Sequence, residues 1–422
     1  MKVVIMAGGK GTRISSVASD IPKPMILIDN RPILEHELLN LKAQGFNEII
    51  IVTGHLGNII ENYFKDGSKW GIHIEYYHES TPLGTAGSLY DLKDVLSDDF
   101  LLLNGDIVFD VDFEKMIAFH TSKKADATLL THPNSHPYDS ALIITDENKK
   151  VLKWLNKEEP RTIYKNRVNA GIHIISRSVI EKTLSHPGKY DLDRDILKPL
   201  VSFGNVYAYD SPEYVKDMGT PERYYSICQD FIEGRIHRKN LKNPQRSVFL
   251  DRDGTINKYK GFITDPSQME LLPGVAEAIK KINDIGYLAI VITNQPVIAR
   301  GDCTLEELEQ IHLKMETLLG EQGAYLDDIF FCPHHPDKGF EGEREEYKIE
   351  CSCRKPKPGM LLQAAQKYNI DLKSSYMIGD SLADVQAGNA AGCKSILIGK
   401  PKDGDFEYCK DLLEFVKKFI GD

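Results

Sequence analysis

The chain has 422 residues, 41% hydrophobic and 27% charged, with a formal net charge of -10. That length exceeds one ordinary core and implies two or three domains, while the acidic balance argues against a general nucleic-acid binder. No run approaches the roughly 18 apolar residues of a membrane helix, and the opening "VVIM" breaks at Gly8-Gly9, too soon for a secretory signal; a cytoplasmic protein with no membrane partner is expected.

Short apolar runs alternate with amphipathic stretches. "VVIM" (3–6), "EIIIVT" (48–53) and "FLLLN" (100–104) read as buried parallel strands, and 32–44 as a helix with Ile33, Leu34, Leu38 and Leu41 on one face. Strands at 127–132, 168–175 and 205–210 have less obvious crossovers, and Pro221 opens a helix near 221–235. "RIHRKNLKNPQR" (235–246) is basic and lacks apolar periodicity, so it reads as a linker between a domain at 1–234 and another at 247–422. Beyond it, strands at 247–251, 288–293, 328–332, 375–380 and 394–399 alternate with helices at 275–285, 304–320 and 359–369. The fold class is α/β, with a mostly parallel sheet in each half.

The first half carries "AGGKGTR" after its first strand. Gly8, Gly9, Gly11 and the Thr12 amide suit a turn that cradles phosphate oxygens, and Lys10 and Arg13 add positive charge. Lys23 stands between two prolines, Asp106 ends a strand where open α/β sheets bind ligands, and Asp217 sits in a Gly-Thr-Pro turn. With Pro82–Gly87, Asn104-Gly105-Asp106 and Asn169-Ala170-Gly171, these motifs make residues 1 to 233 resemble the sugar-1-phosphate nucleotidyltransferases.

The resemblance implies a Rossmann-like, GT-A-like mixed sheet, and attack of a sugar 1-phosphate on an NTP α-phosphorus with loss of pyrophosphate. It implies Mg²⁺ on Asp106 and Asp217, phosphate charge stabilised by Arg13 and Lys23, the base near Gly84 and Thr85, and the sugar near Asn169 and Gly171. The family's Glu-Lys-Pro reads Glu158-Glu159-Pro160 here, which loses a cation unless Lys157 or Lys165 supplies it.

The second half opens on "LDRDGT". Asp251 and Asp253 after a strand can converge on one metal and one phosphoryl group, Asp251 as nucleophile and Asp253 as acid and then base. Thr293-Asn294, a lysine in "CRKPKPGM" and Asp380 in "MIGDSLAD" supply the oxygen contacts, the cation and the extra acid. Spacing leaves Lys355 and Lys357 both open.

Cys332, His334, Cys351 and Cys353 have the spacing of a closed tetrahedral Zn²⁺ site, with His335 as a competing ligand, and seven cysteines in a cytoplasmic chain favour metal over disulfides. In this order the pieces resemble the zinc-bearing branch of the haloacid-dehalogenase-like (HAD) phosphatases, over about 246 to 400. That resemblance implies a Rossmannoid phosphatase. It selects Lys355 and His334, places Mg²⁺ on Asp251, Asp253 and Asp380, and turns Arg354 and the Arg300 segment toward substrate.

The branch contains heptose 1,7-bisphosphate 7-phosphatases and histidinol-phosphate phosphatases. Fusion to a sugar-1-phosphate nucleotidyltransferase favours the first, because removing the 7-phosphate yields a heptose 1-phosphate. The pairing implies heptose phosphates and GTP as substrates, with D-glycero-α-D-manno-heptose as the sugar and GDP-heptose as the product. A GDP-mannose-type transferase, a histidinol-phosphate-like phosphatase or a scaffold role for one half are the alternatives, and an oligomer is compatible with all of them.

Overall fold

The computed structural model describes residues 1–9, 14, 20–339, 341–399 and 406–421. The chain forms two compact units: unit 1 takes Met1–His132, Ile143–Leu155 and Asn169–Asn240, and unit 2 takes Pro133–Leu142, Asn156–Val168 and Leu241–Asp422. Two segments from within 1–234, residues 133–142 and 156–168, thus group with unit 2.

Unit 1 is built on β1 (Lys2–Met6), α1 (Ile33–Ala43), β2 (Glu48–Thr53), β3 (His73–His78), β4 (Asp99–Asn104), β5 (Ile107–Asp110), β6 (Ala127–His132), β7 (Leu142–Thr145), β8 (Val151–Leu155), β9 (Val168–Ser176), β10 (Val206–Asp210), β11 (Tyr214–Asp217) and α2 (Pro221–Ile232). The sheet runs β8-β7-β9-β4-β1-β2-β3, with β6 joining β9 to β10. β1 pairs parallel with β2 and β4, while β9 returns antiparallel to β4, so the sheet is mixed.

Ile33, Leu34, Leu38 and Leu41 of α1 are fully buried, as their spacing along one helical face requires. Thr220 caps α2 by accepting from the Arg223 amide, and Pro221 fills the first turn. The stretch read as linker begins with a helical turn, Arg235–Arg238. Charge rather than apolar periodicity holds it, because Arg235 reaches Asp230 at 2.7 Å.

Unit 2 carries β12 (Ser247–Leu250), α3 (Val275–Ile285), β13 (Leu288–Asn294), α4 (Leu305–Gly320), β14 (Asp328–Cys332), α5 (Gly359–Tyr368), β15 (Tyr376–Gly379), α6 (Leu382–Ala391), β16 (Lys394–Ile398) and β17 (Glu407–Cys409). The sheet order is β14-β13-β12-β15-β16-β17, and every pairing is parallel. The central strands β12, β13 and β15 are buried on both faces and read as continuous apolar runs, and every strand except β17 was legible in the sequence. Parallel strands also bring all their C-terminal ends to one edge, where open sheets bind ligands.

The segments 133–142 and 156–168 add a polar anchor to unit 2. Arg167, only 4% exposed, donates from Nη2 to Asp327 O (2.7 Å) and from Nη1 to Asn166 O (2.8 Å) and Leu326 O (3.4 Å), and it pairs with Glu316 on α4 at 3.4 Å. The Tyr164 amide donates to Thr317 Oγ1 at 3.0 Å. No helix among the described residues is long and apolar enough to cross a membrane.

Candidate active sites

In unit 1 a cavity of about 990 Å³ opens at the C-terminal ends of β1, β2 and β4, lined among others by Gly8, Gly9, Lys23, Gly84, Thr85, Asp106 and Gly219. The antiparallel pair β5–β11 places Asp217 opposite Ile107, and the Met218 amide donates to Asp106 O at 3.1 Å. Two acids 111 positions apart in sequence are thereby held side by side.

Lys23 Nζ ion-pairs with Asp106 Oδ2. Asp217 accepts from the Gly219 amide (2.6 Å) and from Arg223 Nη1 (2.9 and 3.0 Å). Burial pushes the Asp217 carboxyl up, but Arg223, the Gly219 amide and Lys23 outweigh it and hold the group below its ordinary range. The two carboxylates, each already facing a cation, have the chemistry to share a divalent ion.

Lys10, Gly11, Thr12 and Arg13 lie outside the described residues. Thr85 lines the cavity, but its hydroxyl accepts from the Leu192 amide at 2.7 Å and faces Asp191 at 3.3 Å. Asn169 does not line the cavity: its amide group is held by His173 Nε2 (2.9 Å), the Gly171 amide (3.3 Å) and Asp193 (3.4 Å). Gly171, at φ +75°, also stands outside the lining, and it leaves room for Asn104, whose Nδ2 would lie 2.5 Å from a Cβ there.

The lost family lysine has a local explanation. Glu159 Oε2 accepts from the Asn156 amide at 2.6 Å, closing a turn in a segment that folds with unit 2.

In unit 2 a smaller cavity, about 200 Å³, is lined by Asp251, Asp253, Thr293, Asn294, Arg354, Lys355, Asp380 and Asp384, with Tyr259 and Phe262 at its wall. Lys355 Nζ donates to Asp251 Oδ1 (2.6 Å) and to Ile292 O (2.7 Å), and lies 2.6 Å from Asp384 Oδ1. Burial raises the Asp251 carboxyl, with Lys355 opposing; burial would lower Lys355, but Asp251 and Asp384 hold it up. Lys357 points elsewhere, to the exposed Glu350.

Asn294 brackets the Lys355 backbone, donating to its carbonyl (3.1 Å) and accepting from its amide (3.0 Å). Arg354 lines the cavity and donates to His334 O. Arg300 is not in the lining; it pairs with Asp302 and lies 4.7 Å over the Phe262 ring.

Oxygens of Asp251, Asp380 and Asp384 lie within 4.8 Å of one another, a donor set that fits a hard divalent cation. This differs from the set expected from sequence. Asp384 joins, while the Asp253 carboxylate is drawn to Arg252, Gln295 and Asn257. Gly254, at φ +86°, would place a Cβ 2.2 Å from Asp380 Oδ2, so only glycine allows the motif to pass this acid. Asp384 and Gln295 were missed; the signal for Asp384 was the Ser381–Asp384 capping box, which fixes this acid at the start of α6.

Three Sγ atoms and one imidazole nitrogen, from Cys332, Cys351, Cys353 and His334, also lie within 4.8 Å of one another. Separations of 3.2 to 3.7 Å among them describe a cage that can hold a metal ion with no position left open. His335 turns away toward Asp337.

The nucleotidyl transferase family matches residues 2–234, more than half of the chain. The chain belongs to the nucleotidyl transferase family. A HAD-hydrolase-like family matches residues 352–410. The transferase chain is 42% identical over 170 residues to the D-glycero-β-D-manno-heptose-1,7-bisphosphate 7-phosphatase of Photorhabdus laumondii, across 40% of this chain and 88% of that protein. It is 33% identical over 255 residues to the mannose-1-phosphate guanylyltransferase of Mycobacterium tuberculosis, across 60% of this chain and 70% of that protein. HddC from Yersinia pseudotuberculosis superposes with a TM-score of 0.48 at 28% identity, over 55% of this chain and 99% of that one. This nucleotidyl transferase thus carries a second enzyme, a HAD phosphatase, in the same chain.

Proposed function

We propose that the chain makes GDP-heptose in two steps. Unit 2 removes the 7-phosphate of D-glycero-α-D-manno-heptose 1,7-bisphosphate, and unit 1 joins the resulting heptose 1-phosphate to GTP with release of pyrophosphate. The observation that carries the reading is one chain holding two strand-tip acid sites, Asp106 with Asp217 and Asp251 with Asp380 and Asp384, each in a different phosphate-handling family. The 42% identity to a heptose bisphosphatase supports the sugar, and the guanylyltransferase relative supports the base.

In unit 2, Asp251 attacks phosphorus. Lys355 orients it and offsets the phosphoryl charge, and the buried Thr293 hydroxyl and backbone amides at the cavity contact the phosphoryl oxygens. Asp253 gives a proton to the departing sugar oxygen and later takes one from water. Mg²⁺ on Asp251, Asp380 and Asp384 supplies charge neutralisation when bound.

In unit 1, Lys23 and the Gly8-Gly9 turn bind phosphate, and Asp106 and Asp217 hold the Mg²⁺. Zn²⁺ on the Cys332–His334–Cys351–Cys353 cage is structural, because four protein donors leave no place for substrate. We place the enzyme in the cytoplasm, a reading supported by cysteines none of which forms a disulfide.

The test is to feed the purified chain both anomers of heptose 1,7-bisphosphate, and separately mannose 1-phosphate, with each of four NTPs, and to identify the nucleotide sugar by mass. GDP-heptose from the α anomer is expected. The β anomer is included because relatives of unit 2 are named for it. GDP-mannose as the preferred product would replace this reading with the mannose-1-phosphate one.

A further inference from the structure

The partners of Asp253 run from the cavity wall, through Arg252, into the core of unit 2. Oδ2 accepts from Arg252 Nη2 (2.8 Å), Arg252 Nε (3.1 Å) and Gln295 Nε2 (3.0 Å), while Oδ1 accepts only from Asn257 Nδ2 (3.0 Å) among the described residues. Arg252 is itself 1% exposed and ranks among the largest fully buried side chains. A buried guanidinium is tolerated only when its N–H groups find partners. The partner on its far side is His312 of α4, whose Nε2 lies 3.2 Å from Arg252 Nη1.

Guanidinium can only donate, so Nε2 accepts and the ring proton sits on Nδ1. Burial, reinforced by the neighbouring Arg252 charge, keeps the imidazole neutral. The ring is further braced against Phe331 of β14, 5.6 Å between centroids. Helix α4 thus reaches the Asp253 carboxylate through one intermediary, Arg252, although His312 itself does not line the cavity.

We propose that His312 is a positioning residue of the phosphatase: its neutral ring fixes Arg252, Arg252 fixes Asp253 Oδ2, and Oδ1 is left as the oxygen that exchanges protons with substrate. The inference rests on reading Asp253 as the acid and base. With three donors Oδ2 has no lone pair to spare, whereas Oδ1 retains one. The Oδ1 proton passes to the sugar oxygen as its bond to phosphorus breaks, and Oδ1 takes a proton back from the water that cleaves the aspartyl phosphate.

The experiment uses the full chain hydrolysing heptose 1,7-bisphosphate. His312→Leu removes the acceptor and is expected to lower kcat about ten- to a hundredfold with KM within about twofold, the pattern of a misplaced reacting group. His312→Gln, whose amide oxygen can accept from Arg252, is expected to keep kcat within about threefold of the parent. If His312 acts through Arg252, Arg252→Met with His312→Leu should be no slower than Arg252→Met alone, a non-additive cycle. Nitrogen NMR of the unmodified chain should show the His312 ring neutral with its proton on Nδ1.

Unchanged kcat in His312→Leu, equal losses in the Leu and Gln variants, additive losses in the cycle, or a charged ring would each overturn the proposal. Active Asp253→Asn would instead overturn the acid–base reading on which it rests. Inactive Asp253→Asn with a normal His312→Leu removes the positioning role alone.

Discussion

Arg167→Met tests whether residues taken from inside the transferase sequence hold the phosphatase unit together. The substitution keeps most of the side-chain volume but deletes the cation 3.4 Å from Glu316 and the donors to the carbonyls of Asn166, Leu326 and Asp327. Both charged side chains are nearly inaccessible, 5% and 4% exposed, so solvent cannot replace the lost contacts. Breaking such a pair from one side costs about 3–5 kcal/mol. In a domain of this size about 1 kcal/mol moves the midpoint by roughly 2–4 °C, so the unit 2 transition should fall by about 10 °C.

Differential scanning calorimetry of the whole chain, with the two transitions assigned from single-unit variants, reads the shift. The isolated 241–422 fragment, which lacks Arg167 altogether, should melt lower still. A unit 2 transition unmoved in Arg167→Met, or a fragment as stable as the whole, would show that segment 156–168 contributes nothing to that fold.

Other outcomes follow from the two sites. Asp251→Asn should abolish phosphate release, by about a thousandfold or more, and leave pyrophosphate release near normal, while Asp106→Asn should do the reverse; product-specific assays on both variants check this. Lys355→Met should cost the phosphatase at least about a hundredfold, whereas Lys357→Met, on the surface beside Glu350, should change it less than twofold, as steady-state rates would show. Cys351→Ser, or a strong chelator, should release zinc measurable by elemental analysis and lower the melting point of unit 2; retained metal and an unchanged melt would refute the cage.

Stability should also fall below about pH 6.5. Burial pushes His173 down to about 3 and His312 well below its ordinary value. Unfolded chains bind these protons below that pH and the native protein does not, so each group removes up to about 1.4 kcal/mol per pH unit as acid is added. Urea melts at pH 7.0 and 5.0 read the loss, and equal midpoints would contradict it.

The sequence by itself determined the strands, the helical faces and most of the acids. Short β-branched runs such as "VVIM" and "LAIVIT", bounded by turn residues, read as buried strands, and an acid at the end of such a run is placed at the ligand-binding edge by strand geometry. The convergence of Cys332, His334, Cys351 and Cys353 was legible too, since two short pairs in that spacing can meet around one ion wherever the loop between them goes.

Tertiary structure decided what depends on partners distant in the chain. It assigned Lys355 rather than Lys357 to Asp251, brought Asp384 beside Asp251 and Asp380, and turned the Asp253 carboxylate toward Arg252 and Gln295. It also moved residues 156–168 into unit 2, because Arg167 finds its acceptors near 316–327. Local pattern encodes which face a residue buries. It does not encode which distant carbonyl or carboxylate will meet a long cationic side chain, because that choice is made only when the sheets and helices pack.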